Sequence, residues 1–205
     1  MSTQNVSGTS QNGPASSPAA APAVLVLASG RGARFNASGG SGSKLEALLA
    51  GKPVLQHTLE SVKASGLRWH VEQQGHAGMG DSIAAAVRAT QDAGGWLVLP
   101  GDLPLVRPET LRAVAAALAH HAVVLPHYRG RRGHPVGFAA SCLPSLLQLE
   151  GPQGAVQVVR AQEAAGHAVV LELSDPGVVA DIDTVQDLAE AERLLLARAP
   201  SVLPR

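Results

Sequence analysis

A short apolar run that ends at a glycine-bearing loop constrains this chain more than any other feature. Residues 23–27 read Ala-Val-Leu-Val-Leu, and Ala28, Ser29 and the turn Gly30-Arg31-Gly32 follow directly. A continuous run of this kind predicts a strand buried on both faces, as in a parallel sheet. Ligands of open α/β sheets bind where loops leave the carboxyl ends of such strands, so this loop is a candidate binding site.

Small and basic residues give the loop the chemistry of an anion site. Glycines let a phosphate lie against the backbone, and Arg31, Arg34 and Lys44 carry charges that can neutralise it. This combination predicts a nucleotide site near the N-terminus. An ordinary strand-to-helix turn with solvated arginines explains the segment, taken by itself, equally well.

A second buried run places a carboxylate at the same edge of the predicted sheet. Residues 96–99 end at Pro100-Gly101, and Asp102 follows at once. A carboxylate beside a triphosphate is a natural ligand for Mg²⁺, which takes one or two carboxylates and completes its shell with phosphate oxygens and water. A plain turn before the next helix is the alternative. Of the two aspartates in 181–184, Asp183 is the candidate for the metal, while one of the pair is a good N-cap for the closing helix.

Two further loops carry residues that suit a ligand. Residues 75–82 are rich in glycine and open a helix, where a base or a ribose can approach closely; a flexible connector before a helix capped by Asp81 or Ser82 is the alternative. Residues 127–135 form the only basic cluster, and it suits a phosphate-bearing substrate. There the alternative is a solvated hairpin turn.

Strand-like and helix-like segments alternate along the chain, which predicts a mainly parallel sheet covered by helices on both faces. Further strands are predicted at 122–125, 136–138 and 169–171, and helices at 53–64, 142–149, 155–165 and 184–198, with others that open at Asp81 and Pro108. We expect a disordered tail over 1–22, one domain over 23–198 and a flexible end over 199–205.

Charge and composition exclude several classes of function. The chain carries 16 basic and 16 acidic side chains, so no broad positive surface is expected for nucleic acid or for an anionic membrane. No apolar stretch reaches membrane-spanning length. Cys142 is the only cysteine, which fits a reducing compartment, and residues 1–22 lack the features of a signal peptide. A cytoplasmic location is therefore expected.

Taken in order, the motifs resemble those of the MobA-like nucleotidyltransferase family, particularly its molybdenum cofactor cytidylyltransferase (MocA-like) branch. The motifs are LASGRGARF (27–35) with the later Lys44, GMGDS (78–82), GDLP (101–104), GRRGHPVGF (130–138) and DIDT (181–184). The resemblance covers nearly the whole predicted domain. It implies a Rossmann-like, three-layer α/β/α nucleotidyltransferase fold. Only residues 67–77 stand where the family has room for a strand, a helix and another strand, so one βα unit is expected to be shortened.

The resemblance also implies a role for each matched residue. The implied catalytic residues are Arg34, Lys44 and Asp102, and the implied Mg²⁺ ligands are Asp102 and Asp183. The implied nucleotide-binding residues are Ala28, Ser29, Gly30, Gly32, Gly78, Gly80 and Ser82. The implied acceptor-binding residues are His134 and Pro135.

The activity implied is a magnesium-dependent transfer of a nucleoside monophosphate, CMP from CTP, to molybdopterin with release of pyrophosphate. A molybdenum hydroxylase or its maturation factor is the implied protein partner. No nucleophile–base pair stands out, and none is required, because a phosphate monoester is already an anionic nucleophile near neutral pH. The alternatives are another phosphorylated acceptor and a non-catalytic nucleotide-binding maturation factor.

Overall fold

The structure, a computed structural model, describes residues 20–30 and 32–198. Its strands are β1 (Ala23–Leu27), β2 (Leu48–Leu49), β3 (Lys52–Pro53), β4 (Arg68–Glu72), β5 (Gly95–Pro100), β6 (Val123–Tyr128), β7 (Arg131–Arg132), β8 (Val136–Ala139) and β9 (Ala168–Glu172). Its α-helices are α1 (Ala33–Ala37), α2 (Val54–Ser65), α3 (Met79–Arg88), α4 (Pro108–Ala117), α5 (Leu143–Leu147), α6 (Val156–Ala164) and α7 (Val185–Arg198). Arg31, the predicted C-terminal segment and all but residues 20–22 of the predicted tail lie outside the described residues.

Seven strands form one mixed sheet with the order β4-β1-β5-β8-β6-β7, and β9 also pairs with β6. β1 is parallel to both β4 and β5, and β6 is parallel to β9. β8 runs antiparallel to β5 and to β6, because a short hairpin returns the chain from β6 through β7. The sheet is thus mainly parallel, as predicted. Glu72, Leu27 and Pro100 are aligned in register, so β4, β1 and β5 end at one level.

The two faces of the sheet are buried against different helices. Leu25 belongs to an apolar cluster with Ile83 of α3 and Val158 of α6, whereas Val24 belongs to a second cluster with Leu111 of α4. Successive residues of a strand point to opposite faces, which is why an unbroken apolar run was needed here. Helices on both faces confirm the predicted α/β layering. Among the helices described, none combines the length and the apolar composition that crossing a membrane requires.

Local structure differs from expectation at the start of α3 and in the segment 142–149. α3 begins at Met79, with Gly78 as the N-cap residue, so neither Asp81 nor Ser82 caps it as predicted. The helix predicted at 142–149 is divided into a 3₁₀ turn that ends at Cys142 and the short α5. Residues 67–77 hold only β4 and a loop, which agrees with the expected shortening.

Candidate active site

A cleft of about 670 Å³ opens at the carboxyl ends of β1 and β5. Many residues assigned from the sequence line it: Ser29, Gly30, Arg34, Lys44, Gly78, Ser82, Asp102, His134 and Asp183. They come from segments far apart in the chain, and the common level at which the strands end brings them together. This is the position at which open α/β sheets bind ligands.

Four of the assigned residues are not among those that line the cleft: Ala28, Gly32, Gly80 and Pro135. The Ala28 amide donates to the carbonyl oxygen of Glu72 at 2.8 Å, and so ties the start of the loop to β4. Gly32 has φ +60° and is the N-cap residue of α1, a conformation that suits glycine. These contacts give Ala28 and Gly32 a local role in shaping the loop.

An ion-pair cluster lies in the cleft and is centred on Lys44. Its Nζ lies 2.6 Å from Asp102 Oδ2 and 2.7 Å from Asp183 Oδ1, while Arg34 Nη1 lies 2.6 Å from Asp183 Oδ2. The side chains of Lys44, Asp102 and Asp183 are only 11%, 14% and 17% exposed, whereas that of Arg34 is 79% exposed. Lys44 therefore forms the shielded part of the cluster, and Arg34 adds its charge from the solvent side.

Burial and charge act in opposite directions on the titration of this cluster. Burial by itself lowers the pKa of Lys44, but attraction to Asp102 and hydrogen bonds to Asp102 and Asp183 outweigh it and raise the pKa. Partial removal from water raises the pKa of the neighbouring Asp181, and repulsion from Asp183 and Asp102 raises it further. The ammonium group is thus held charged beside three carboxyl groups.

The backbone around Asp102 fixes where its carboxylate can lie. Gly101 donates its N–H to the carbonyl oxygen of Leu27 at 2.9 Å, and its own carbonyl accepts from Thr58 Oγ1 at 2.9 Å. The carbonyl oxygen of Asp102 accepts from the Ile182 amide at 3.0 Å, which joins this loop to the segment that carries Asp183. Asp102 Oδ1 is buried and has no hydrogen-bond partner within residues 20–30 and 32–198.

The closing helix is capped differently from expectation, and the difference concerns the site. Thr184 and Asp187 cap α7 reciprocally: the Thr184 amide donates to Asp187 Oδ2 at 2.7 Å, and the Asp187 amide donates to Thr184 Oγ1 at 3.1 Å. The prediction that an aspartate of 181–184 is the cap was therefore wrong. Both Asp181 and Asp183 instead line the cleft.

The glycines of the GMGDS motif permit a close approach of two backbones. A Cβ on Gly78 would lie 2.2 Å from the Gly151 carbonyl, and one on Gly80 would lie 2.6 Å from the Glu150 carbonyl oxygen. The Gly80 amide donates to the Gly151 oxygen at 2.8 Å. Ser82 lines the cleft, where its Oγ is 3.3 Å from Ser29 Oγ. Packing against 150–151 accounts for these glycines independently of any ligand.

The opposite wall of the cleft is formed by the basic hairpin. Arg131, Arg132 and His134 line it. Arg132 forms an ion pair with Glu163, whereas Arg131 has no ion-pair partner within the part of the chain that the structure describes. Burial lowers the pKa of His134, and the charges of the nearby aspartates oppose the shift only in part. A neutral imidazole and a free guanidinium therefore face the cleft on this side.

Several lining residues were not assigned from the sequence, among them His76, Arg131, Arg132, Val178 and Asp181. The i, i+2 spacing of Asp181 and Asp183 was a usable signal, because alternate residues of an extended segment point the same way. Arg131 and Arg132 belong to the basic cluster predicted to suit a phosphate-bearing substrate, and His76 belongs to the glycine-rich loop predicted to suit a base or a ribose, but no signal distinguished these residues within their segments. No group of three or more His, Cys, Asp or Glu side chains that could hold a metal ion by itself occurs among the residues described.

Comparisons with known proteins match the chain to one family of domains. Residues 60–167, just over half of the chain, match the family model of the MobA-like NTP transferase domain. The purine catabolism protein PucB of Bacillus subtilis is 30% identical over 132 residues, which is 62% of this chain and 63% of PucB. The chain thus spans less than two thirds of the length of that relative.

Two solved structures share the fold over most of the chain. A nucleotidyl transferase from Methanothermobacter (Mth528) is 21% identical, covers 86% of this chain and 98% of its own, and superposes with a TM-score of 0.71. Rv0371c of Mycobacterium tuberculosis, in complex with manganese, is 21% identical and covers 86% of this chain and 100% of its own, with a TM-score of 0.65. These likenesses confirm the predicted Rossmann-like α/β fold.

Proposed function

This chain belongs to the MobA-like NTP transferase domain family, and from that premise we propose that it transfers a nucleoside monophosphate to a phosphorylated acceptor and releases pyrophosphate. The observation that carries the proposal is the cluster of Lys44 with Asp102 and Asp183, which lies in the cleft at the carboxyl ends of the strands. CTP is the favoured donor, and a molybdopterin-type molecule is the favoured acceptor.

Lys44 and Arg34 are the groups that suit the triphosphate. Lys44 holds a charged ammonium group in the cleft beside Asp102 and Asp183, where the phosphates of a nucleotide can contact it. Arg34 is mostly exposed and can reach the same phosphates from the solvent side. Negative charge grows on the departing pyrophosphate, and cations placed where charge develops lower the barrier more than they strengthen ground-state binding.

A divalent cation suits the carboxylates of this cluster. Asp102 Oδ1 is buried without a partner among residues 20–30 and 32–198, and such an atom is costly unless a cation or donor reaches it. Asp102 would hold Mg²⁺ together with Asp183, and phosphate oxygens and water would complete the shell. When bound, the ion would supply charge neutralisation at the reacting phosphate. The manganese complex of Rv0371c, a protein of the same fold, supports a divalent metal here.

The two walls of the cleft differ in charge, and this suggests how donor and acceptor are arranged. On the β4 side, the uncharged Ser29, Gly78 and Ser82 suit a nucleoside. On the β7 side, Arg131 suits an anionic acceptor, and the neutral His134 adds no charge of its own. A phosphate monoester between these walls needs alignment more than it needs a base.

The identities of the base, acceptor and partner rest on the motif resemblance. GMGDS resembles the cytidylyl branch, which favours CTP, and the same branch suggests molybdopterin and a molybdenum hydroxylase or its maturation factor as partners. Cys142 is a buried free thiol, and burial raises its pKa, so it remains a thiol in the reducing cytoplasm that we propose for the protein.

The proposal is tested by measuring pyrophosphate release. The purified protein is incubated with molybdopterin and with CTP, GTP, ATP or UTP, in the presence of Mg²⁺ or of a chelator. We expect metal-dependent release that is fastest with CTP. Release of pyrophosphate only with a sugar phosphate or another phosphorylated compound would identify that compound, and not molybdopterin, as the acceptor. Tight nucleotide binding without release from any combination would favour the non-catalytic maturation factor instead.

A further inference from the structure

A buried carboxylate outside the Lys44 cluster lies at the end of β4. The side chain of Glu72 is only 8% exposed, and Glu72 pairs in register with Leu27, the last residue of β1. Its carbonyl oxygen accepts from the Ala28 amide, the first amide of the glycine-bearing loop. The sheet therefore fixes this carboxylate beside the loop of the proposed nucleotide site.

Two histidines share this carboxylate. His76 Nε2 lies 3.3 Å from Glu72 Oε1, and His70 Nε2 lies 3.7 Å from Oε2. Both ring nitrogens are buried, and neither makes a geometrically well-formed hydrogen bond within the described residues, so Glu72 is the polar group that each of them faces at ion-pair distance. The Gln74 amide donates to Oε1 at 2.9 Å. Burial opposes ionisation of Glu72, but these contacts outweigh it and lower its pKa, so the carboxylate stays charged.

Only one of the two histidines lines the cleft. His76 does so beside Ser29, Gly78 and Ser82, the uncharged wall assigned above to the nucleoside, whereas His70 is not among the lining residues. With Nε2 of His76 next to a carboxylate, the favoured tautomer of the neutral ring carries its proton on Nε2. Nδ1 is then left as a hydrogen-bond acceptor.

We propose that His76 reads the base of the nucleotide, and that Glu72 is the residue that positions it. This inference rests on the proposed function, because it requires a nucleotide in the cleft. Nδ1 of His76 accepts a hydrogen bond from an exocyclic amino group, such as the one at C4 of cytosine. The C4 keto oxygen of uracil has no proton to donate. In the same place it would face the lone pair of His76 Nδ1, and neither group would make a hydrogen bond.

The test measures nucleotide affinity without any acceptor. Dissociation constants for CTP and UTP are determined by calorimetry in the presence of Mg²⁺, and their ratio is compared between variants. We expect the wild type to bind CTP about tenfold more tightly than UTP, which corresponds to one well-placed hydrogen bond. His76→Ala should bring the ratio close to one. Because a ratio is measured on one protein sample, a general loss of folded protein does not change it.

Two further variants test whether the charge of Glu72 positions the His76 ring, and separate this effect from a general disturbance around the carboxylate. Glu72→Gln keeps the size of the side chain and an acceptor for the Gln74 amide but removes the charge that orients the ring, so we expect the ratio to fall. His70→Ala is the matched control, since His70 contacts the same carboxylate and is not among the residues that line the cleft. It should keep the wild-type ratio.

Each outcome decides the inference. Equal binding of CTP and UTP by the wild type overturns it, as does a wild-type ratio in His76→Ala or a lost ratio in His70→Ala. In those cases the proposed transferase function stands, because the triphosphates still bind. If no nucleoside triphosphate binds the wild type, both the inference and the proposed function fail.

Discussion

At the scale of single residues, the proposed site depends on one shielded ammonium group. Lys44 touches two carboxylates that are nearly as buried as itself, whereas Arg34 reaches one of them from the solvent. Exposed ion pairs contribute less than about 1 kcal/mol to stability, while breaking a buried pair leaves a carboxylate without compensation. The effects of changing Lys44 and Asp102 should therefore be much larger than those of surface changes.

Replacing Lys44 by methionine keeps much of the side-chain volume and removes the charge. We expect Lys44→Met to lower kcat/KM by roughly 10²–10³, because a cation is lost where pyrophosphate charge develops. Stability should fall by about 2 kcal/mol, since two partly buried carboxylates lose their partner. Steady-state kinetics and urea unfolding measure both effects. Lys52→Met removes an exposed lysine that pairs with Glu60, and it should leave both quantities unchanged.

Replacing Asp102 by asparagine tests the proposed metal ligand. We expect Asp102→Asn to reduce turnover at least about 100-fold, because a neutral amide is a much weaker ligand than a carboxylate for a hard cation. The circular dichroism spectrum should stay that of the wild type. Asp92→Asn is the control, because Asp92 pairs with Arg68 on the surface. Near wild-type turnover in Asp102→Asn would show that the assigned metal role is wrong.

At the scale of elements, the contact between α3 and the 150–151 turn holds one side of the cleft. Gly78 and Gly80 lie where that turn approaches. A side chain at either position would collide with the turn, so the fold itself requires glycine there, whether or not a ligand binds. Asp81 reinforces the same contact, since its Oδ2 accepts from the Gly151 amide at 2.9 Å. The position of Ser82 in the cleft thus depends on how closely these two backbones pack.

This packing predicts how one added methyl group at Gly80 changes the stability of the fold. Gly80→Ala puts a Cβ 2.6 Å from the Glu150 carbonyl oxygen, so the backbone must move. We expect the free energy of unfolding to fall by about 1–3 kcal/mol without any nucleotide present. Gly75→Ala, in the loop that precedes α3, has nothing within 4 Å of its Cβ and should change stability by less than about 0.5 kcal/mol. Equal stability of both variants would assign Gly80 to ligand approach alone.

At the scale of the whole molecule, folding buries His134 and so couples the titration of its imidazole to the stability of the fold. Burial lowers the pKa of His134 below its ordinary value of 6.5. The unfolded chain therefore binds a proton near pH 6.5 that the folded chain does not. The contribution of the neutral His134 imidazole to the free energy of unfolding is therefore fully present above that pH and is lost as the pH falls below it.

The sign of this coupling can be measured with a neutral variant. Between about pH 7.5 and about pH 5.5, the wild type should lose unfolding free energy relative to His134→Gln, which has no proton to gain at this position. Urea denaturation of both proteins at several pH values gives the difference. A difference that is constant, or that grows in favour of the wild type as the pH falls, contradicts a buried neutral imidazole.

Local signals predicted much of the fold and part of the candidate site. The run at 23–27, the Pro100-Gly101 break and Pro108 at the start of α4 depend on neighbouring residues only, and each was predicted correctly. The predicted cap of α7 was wrong because the aspartates of 181–184 were considered one at a time, whereas the spacing of Thr184 and Asp187 is itself the local signal of a capping box. The shared carboxylate of His70 and His76 gave no signal at all.

The amino-acid sequence by itself predicted β1, β5, β6, β8, β9 and the helices α2–α7, and it placed Asp102 directly after a strand. It did so because backbone preferences and apolar periodicity act over a few residues. Only the tertiary structure decided that Lys44 meets a carboxylate 139 residues away, and that one face of the GMGDS loop packs on protein while the other faces the cleft. Such pairings follow from the order and direction of strands in the sheet, which no local stretch of chain encodes.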